Sequence, residues 1–455
     1  MDLQAQADGA DRFSIYLDQL TEVIGHADRE QPLRDYCAGL LVSEGRKSVE
    51  PMAAVTAPAT VSAQHQKLLH FVADAPWSDG AVLARVREIV VPTIERHGPI
   101  EAWIIDDTSF PKHGVHSVGV QHQYCGQLGK QANCQVAVTL SIANHHASLP
   151  IAYQLYLPQE WAKNAARRKK TRVPKSIKFK TKPQIALEQI RAAMKAGVAK
   201  GVLLMDASYG SNRELRIEVN ALGLSYVAAI LSTVKVRKAT GRNPPRLSVK
   251  QLARKLPKHA WRTITWREGS NEKLCSRFAR VRVRIAPMTG AAKSAEETLL
   301  IEWPAGETEP TKYWLSNLDE KIEFRRLVDL AKLRWRIERD YEELKQEVGL
   351  GHYEGRGWPG FHHHATLCIA LYGFLISEQE TIPPSAPLTA RMLEKPAISN
   401  GYRPRGTPDQ AATPRPQFNR NPPSAINRGS GRSTSTLPML CPQICEKPAS
   451  PFMTQ

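Results

Sequence analysis

Three acidic side chains stand at points from which a fold could bring them together. Asp106 follows the apolar run Ala102-Trp-Ile-Ile, Asp206 follows Gly201-Val-Leu-Leu-Met, and Glu338 lies inside Arg334-Trp-Arg-Ile-Glu-Arg-Asp-Tyr-Glu-Glu-Leu-Lys345. Such a set could serve phosphoryl transfer. Two metal ions roughly 3.5 to 4 Å apart would flank one phosphate, and several carboxylates on rigid elements would be needed to hold them. The bases around Glu338 serve the same end: at about 100° per residue, Arg334, Glu338 and Lys345 share one helical stripe, with Tyr341 close to it. Each acid also has a plainer reading, as a turn or helix cap for Asp106 and Asp206 and as a member of (i, i+4) ion pairs for Glu338. The order of all three beside phosphate-binding bases favours a shared site.

The elements that must position them can be read from periodicity. Ala102 to Ile105 and Gly201 to Met205 read as buried strands, each ending abruptly at its acid, Asp106 or Asp206. Val118–Tyr124, Cys134–Ile142 and Pro150–Tyr156 read as further strands of an antiparallel meander, and Ser225–Leu231 as another strand. A helix begun by Pro183 and closed by Gly197 comes between, and Glu323 to about Val348 reads as one long helix carrying Glu338. A more apolar helix follows from about Phe361 to Ser377. The predicted organisation is a helical N-terminal domain over 1–95, an α/β core over 96–231 resumed over 311–378, a mostly β insertion over 232–310, and a disordered basic tail over 379–455. Trp261, Trp266 and Trp303 read as core of the insertion, with stacking on a displaced base the sharper alternative.

The chain has 455 residues, 42% of them hydrophobic, and its 62 Lys and Arg against 44 Asp and Glu give a net charge of +18. That balance points to a polyanionic partner, nucleic acid before an acidic membrane. No apolar run approaches the roughly 18 to 20 residues of a membrane span, and the N-terminus lacks a leader pattern, so the expected place is the cytoplasm, at the nucleoid. Seven cysteines scattered through the chain read as reduced thiols. Cys125 and Cys134 near His113, His116 and His122 match no compact zinc spacing, and neither do Cys441 and Cys445. The run from Lys163 to Lys182, with Arg167, Arg168, Lys169, Lys170 and Arg172 and no acid, is a candidate track for a phosphate backbone, a solvated charge run being its bland alternative. His362-His363-His364 opens an apolar helix, where consecutive residues cannot share one face, so a three-histidine metal site is not expected.

Several short segments together resemble bacterial insertion-sequence transposases of the DDE class. They are Asp106-Asp107-Thr108-Ser-Phe-Pro-Lys-His-Gly114, Ser117-Val-Gly-Val120, Gln123-Tyr-Cys-Gly126, Asn133-Cys-Gln135, Asp206-Ala-Ser-Tyr-Gly210 and the Arg-Trp-Arg-Ile-Glu helix. The nearest likeness is to the insertion sequence seven-zero-one family, within or near the insertion sequence four group, over roughly Ala10 to Gln379. The resemblance implies an RNase H-like core, interrupted by the β insertion. It makes Asp106, Asp206 and Glu338 the catalytic metal ligands, with two Mg²⁺ ions that Mn²⁺ can replace. Asp107 is the rival for the first place, and Glu342, Glu343 and Glu347 for the third. Arg334, Glu338 and Lys345 fit the family signature of Tyr, two residues, Arg, three residues, Glu, six residues, Lys. Position 331 is Ala where that signature has Tyr, and Tyr341 is the candidate substitute.

The implied activity is cleavage of DNA at the element's terminal inverted repeats and transfer of the freed 3′-hydroxyl into target DNA. The implied assembly is a homodimer or larger synaptic complex, with the N-terminal helices as the expected reader of the repeats. Two alternatives remain open. One is an RNase H-like nuclease or resolvase that cuts without joining. The other is a non-catalytic DNA-binding protein, a decayed transposase acting as a repressor.

Overall fold

The computed structural model describes residues 8–268, 273–285 and 295–381; the basic tail, with Cys441 and Cys445, lies outside the described residues. Five helices open the chain, at Gly9–Thr21, Glu30–Val42, Val49–Thr56, Val61–Ala73 and Asp79–Glu95. Their apolar stripes do not close on themselves. Tyr16, Leu20, Tyr36, Phe71, Val86 and Val90 share one core with Phe361, Leu367, Leu371 and Phe374 of the helix Trp358–Thr381. Tyr16 donates to the Ala370 carbonyl at 2.6 Å, and Arg12 pairs with buried Glu378 at 2.6 Å. The N-terminal helices are therefore packed onto the C-terminal end of the core.

Strands β1 (Ala102–Pro111), β2 (Gln121–Cys125), β3 (Lys130–Ala143), β4 (Ser148–Leu155), β5 (Val202–Met205) and β6 (Tyr226–Ala229) form the first half of a mixed sheet. β7 (Lys235–Lys238), β8 (Leu247–Ser248), β9 (Arg262–Glu268), β10 (Lys273–Ile285), β11 (Glu296–Trp303) and β12 (Lys312–Ser316) form the rest. The order is β2-β3-β1-β5-β6-β12-β11-β10-β7-β8, with β4 beside β3 and β9 beside β10. β12 pairs antiparallel with β6 from Trp314↔Ala229 to Ser316↔Val227, and β11, within the expected insertion, pairs with β12 from Thr298↔Ser316 to Glu302↔Lys312, so one sheet runs through both.

Around β1 the register determines where the acids sit. β1 pairs antiparallel with β3 along its whole length, from Ala102↔Ala143 to Pro111↔Cys134, but pairs parallel with β5 only from Ala102↔Val202 to Ile105↔Met205. Sequence reading ends the first strand at Asp106; the structure carries it on to Pro111, because β3 still offers hydrogen-bonding partners after β5 has ended. The acids therefore mark the end of the parallel pairing, each following the last paired residue of its strand.

Side chains alternate across β1. Ala102 and Ile104 pack with Leu327, Ile337 and Tyr341 on one face, while Trp103 and Ile105 pack with Ile185 and Ile190 on the other. The helix under the second face, Lys182–Lys195, is started by a Thr181/Gln184 capping box with Pro183 in its first turn. The expected single helix over Glu323–Val348 is instead two, Phe324–Leu333 and Trp335–Gln346, with Arg334 at the break between them. Among the described residues no helix is long and apolar enough to cross a membrane.

Candidate active site

Alternation carries Asp106 and Asp107 to opposite faces of β1. Asp106 faces the broken helix pair. Its Oδ2 accepts from Arg334 Nη1 at 2.7 Å and its Oδ1 from the Asp107 N–H at 2.8 Å. Asp107 is turned to the helix Lys182–Lys195, where Lys182 Nζ donates to its Oδ2 at 2.8 Å and Tyr209 Oη lies 3.5 Å away. Of the two rivals, Asp106 is the one on the side of Glu338.

Arg334 joins the ends of the constellation. One arm of its guanidinium holds Asp106, and Nη2 donates to Glu338 Oε1 at 2.9 Å. Glu338 is otherwise exposed, with a side chain 68% accessible against 15% for Asp106. Asp206, at the matching position after β5, caps the short helix Ala207–Gly210: its Oδ1 accepts from the Ser208 and Tyr209 amides at 3.0 Å and from Ser208 Oγ at 2.7 Å. The cap reading is thus real, and it is spent on one oxygen. Gly210 ends that turn because a Cβ there would collide with the Ala229 carbonyl of β6. The Asp206-Ala-Ser-Tyr-Gly210 segment is therefore fixed at both ends.

The electrostatics tie all three acids to one cation. Burial pushes the Asp106 carboxyl up, Arg334 pulls it back, and Asp206 and Asp107 push it up again, to about 7. Burial lowers the Arg334 pKa, but Asp106, Glu338 and Asp206 outweigh it, and the guanidinium is held more firmly protonated than usual. Asp206 acts on this pair through its charge rather than through a hydrogen bond. Among the described residues no group of three or more His, Cys, Asp or Glu side chains is gathered closely enough to hold a metal ion, and Arg334 is the group standing between Asp106 and Glu338.

Other expected site residues lie elsewhere or face inward. Tyr341, expected to reach DNA, is buried with Ile337 and Leu344, and its hydroxyl meets Thr139 Oγ1, on the residue paired with Asp106 in the sheet. Lys345 donates to the Ser109 carbonyl at 3.0 Å, and burial pushes its pKa down to about 8. Both side chains belong to the stripe that packs this helix onto the sheet; Tyr341 is buried there, while Lys345 is half-buried.

Of the rivals of Glu338, Glu342 follows it one turn along the same helix, and it is Glu338, not any of them, that Arg334 bonds. Glu342 and Glu347 are exposed, while Glu343 pairs with Arg339 at 2.7 Å and accepts from Tyr372 at 2.9 Å. Exposed His113, His116 and His122 are not gathered with buried Cys125 and Cys134.

The basic run is divided. Arg167 stacks 3.5 Å from the Trp161 ring centroid and donates to the Val115 carbonyl, Arg168 donates to the Pro174 and Ile177 carbonyls at 2.9 Å, and Arg172 pairs with Asp74. Lys169 and Lys170 remain exposed.

Sequence reasoning placed Lys182 only at the end of the basic run and gave no role to Tyr209 or Thr139, all three of which brace the site, nor to Asp340. Asp340 is buried two positions past Glu338, where its Oδ1 accepts from Ser148 at 2.6 Å and Tyr372 at 3.0 Å. The available signals were Tyr209 and Lys182, each inside a segment already singled out.

Comparison with known proteins converges on one class. The profile described as DDE superfamily endonuclease matches residues 19–273, and that described as transposase DDE domain matches 178–374. A protein of Microchaete diplosiphon named "Probable transposase for insertion sequence element IS701" is 32% identical over 168 residues, a stretch spanning 37% of this chain and 41% of that relative. The crystal structure of the NurA nuclease from Sulfolobus solfataricus aligns with 57% of this chain and 75% of its own at 11% identity and a TM-score of 0.23, a likeness too low to carry an argument.

Proposed function

From the premise that this chain belongs to the DDE superfamily endonucleases, we propose that it is an insertion-sequence transposase that cleaves DNA at the element's ends and joins the freed 3′-hydroxyl to target DNA. The observation that carries the reading is the register of β1 against β5. It sets Asp106 and Asp206 at equivalent positions after the last parallel pair, with Glu338 reaching the same guanidinium as Asp106. The strand order β4-β3-β1-β5-β6, antiparallel through β4, β3 and β1 and parallel from β1 to β6, supports an RNase H-like core.

Enzymes of this superfamily generally use divalent metal ions, and the donors here fit one in chemistry, while their present spacing, with Arg334 between Asp106 and Glu338, is wider than a bound ion would leave it. Carboxylate oxygens are hard donors of the kind Mg²⁺ and Mn²⁺ take; two of the acids hydrogen-bond a single guanidinium and the third acts on it through its charge. Asp106, Asp206 and Glu338 would hold the ions, and Mg²⁺ bound there would supply Lewis-acid activation of the nucleophile and charge stabilisation on the leaving oxygen. The chain's own residues do the rest. The cap on Asp206 Oδ1 fixes the orientation of its carboxylate, and Lys182 keeps Asp107 on the opposite face. The Arg334 fork matches a phosphodiester as well as it matches a carboxylate. In cleavage, water displaces the 3′-oxygen at phosphorus; in joining, that 3′-hydroxyl displaces a target oxygen in the same manner. The working form would be a dimer or larger complex holding two ends.

The test is nicking of supercoiled plasmid with Mg²⁺ or Mn²⁺ by the wild type and by Asp106→Ala, Asp206→Ala and Glu338→Ala, followed by a joining assay with pre-cut ends. Cleavage that survives one substitution removes that residue from the site. Nicking without joining would make the protein a nuclease or resolvase, and DNA binding with neither would make it a repressor.

A further inference from the structure

We propose that Arg334 is an internal counter-ion for the acidic cluster, held between Asp106 and Glu338 until a DNA phosphate draws it away, so that divalent-cation binding at these acids is conditional on DNA. The proposal rests on reading Asp106, Asp206 and Glu338 as the metal-binding set. The guanidinium makes one hydrogen bond to each of two of these acids, at 2.7 and 2.9 Å, on oxygens that a cation would also need. A second positive charge entering there meets both Coulomb repulsion and occupied lone pairs. Asp106 and Glu338 contact the guanidinium and Asp206 adds its charge to theirs, so the acids still attract a cation once Arg334 has moved.

Two further features make the move accessible. A phosphodiester offers Arg334 a pair of oxygens in the fork geometry it gives up, so the half-buried guanidinium need never be left unpaired. Arg334 also stands at the junction of Phe324–Leu333 and Trp335–Gln346, where its side chain can be redirected without unwinding either helix. Lys345 cannot take this part, being committed to the Ser109 carbonyl beneath the Phe110 ring. The logic is reciprocal. If phosphate frees the acids for the cation, the bound cation must by the same factor favour Arg334 on phosphate, and the coupling protects the metal-free chain from indiscriminate loading.

The experiment titrates Mn²⁺ into the full chain, reading free Mn²⁺ by electron paramagnetic resonance, with and without a short mixed-sequence DNA duplex. Without DNA, Arg334→Gln should bind Mn²⁺ at least about fivefold more tightly than wild type, the lower range of ordinary coupling between sites. Arg334→Lys, whose single ammonium cannot span both acids, should fall between them and serves should the Gln variant fail to fold. The duplex should tighten Mn²⁺ binding by wild type and leave Arg334→Gln nearly unchanged. Thermal melting gives a readout independent of turnover: in EDTA Arg334→Gln should melt below wild type, and Mn²⁺ should raise its melting temperature by more.

Mn²⁺ affinity in both Arg334 variants equal to or weaker than wild type would overturn the proposal, as would a duplex that tightens wild type no more than Arg334→Gln. Asp106→Asn separates this from failure of the underlying reading. If it binds Mn²⁺ as wild type does, the acids are not the metal site; if it loses binding while Arg334→Gln gains nothing, the site stands and the counter-ion does not.

Discussion

The acidic rim at Asp106 and the histidine row at His362, His363 and His364 carry side chains with similar capacity to ligate metals and move protons, and the fold uses them in opposite ways. Each imidazole in the row is committed to a structural partner. His362 Nε2 accepts from the Leu155 N–H at 3.2 Å, His363 lies 3.0 and 3.1 Å from the Val72 and Trp77 carbonyls, and His364 lies between Tyr36 and the Gly349 carbonyl. The three rings point three ways and fasten the N-terminal helices, β4 and the end of the Glu338 helix to one rod. At the rim, by contrast, Asp206 keeps one oxygen outside its cap, Glu338 is exposed, and all three acids feel a single shared cation. Residue type alone therefore does not separate a site from a scaffold. What separates them is bonding capacity left over after the fold has taken its share.

Substitution should split the two regions cleanly. At the rim, Asp106→Asn and Asp206→Asn, the latter still able to cap, should lower plasmid nicking by at least about 100-fold. Outer-shell partners of metal sites already cost about 10- to 100-fold, and a direct ligand should cost no less. The thermal midpoint of these variants should move little. In the row, His364→Ala should cost on the order of 2–4 kcal/mol of stability, from lost hydrogen bonds and a cavity, while nicking per folded molecule is retained. A His364 variant that folds normally yet does not nick would abolish the distinction.

Acid should sharpen it. Burial pushes the His364 pKa down to about 4 from 6.5, with His352 and Lys112 adding to the effect and the Gly349 bond opposing it. The unfolded chain then binds a proton that the folded chain refuses between those values. Stability is thus fully present above pH 6.5 and is lost as pH falls toward 4, by up to about 3 kcal/mol from this group. Urea denaturation of the wild type at pH 7 and 4.5 should show the loss, and His364→Gln should show less of it. Equal loss in both would place the acid sensitivity elsewhere.

The rim was legible because its carriers are local. Two apolar runs that stop at acids are strands whose parallel pairing ends there, and alternation alone assigns Asp106 and Asp107 to different faces. The helix break at Arg334 was not legible, since neither glycine nor proline marks it; packing of Phe324–Leu333 against the insertion and of Trp335–Gln346 against the sheet decides it. Nor could a pattern reveal a hydrogen bond between Arg334 and Asp106 across 228 positions. The burial of Tyr341 was missed for a related reason. Helical spacing says which side chains share a stripe but not how far the sheet reaches around it, and here it covers Tyr341 and leaves Lys345 half-buried. Sharing of the core between the N-terminal helices and Trp358–Thr381 was hidden by an apolar run long enough to be buried on every side.

The same contrast recurs on a small scale inside the basic run, and there the expected effects are smallest. Arg167 and Arg168 spend their guanidinium groups on Trp161 and on backbone carbonyls, so they hold the segment in shape, while Lys169 and Lys170 sit exposed on the helix Ala165–Lys170. If DNA tracks this surface, the lysines are its phosphate contacts and the arginines its supports. Lys169→Ala with Lys170→Ala should weaken non-specific duplex binding and flatten the plot of log affinity against log salt by about 1 to 2, since each phosphate contact contributes roughly 0.9 to that slope. The melting temperature should not change. Arg168→Ala should do the reverse, costing on the order of 1–2 kcal/mol of stability through its two lost carbonyl bonds and leaving the salt slope nearly intact. Should the arginine variant flatten the slope while the lysine pair does not, the run would contact DNA through the residues that the fold has already engaged, and leftover bonding capacity would no longer distinguish site from scaffold in this protein.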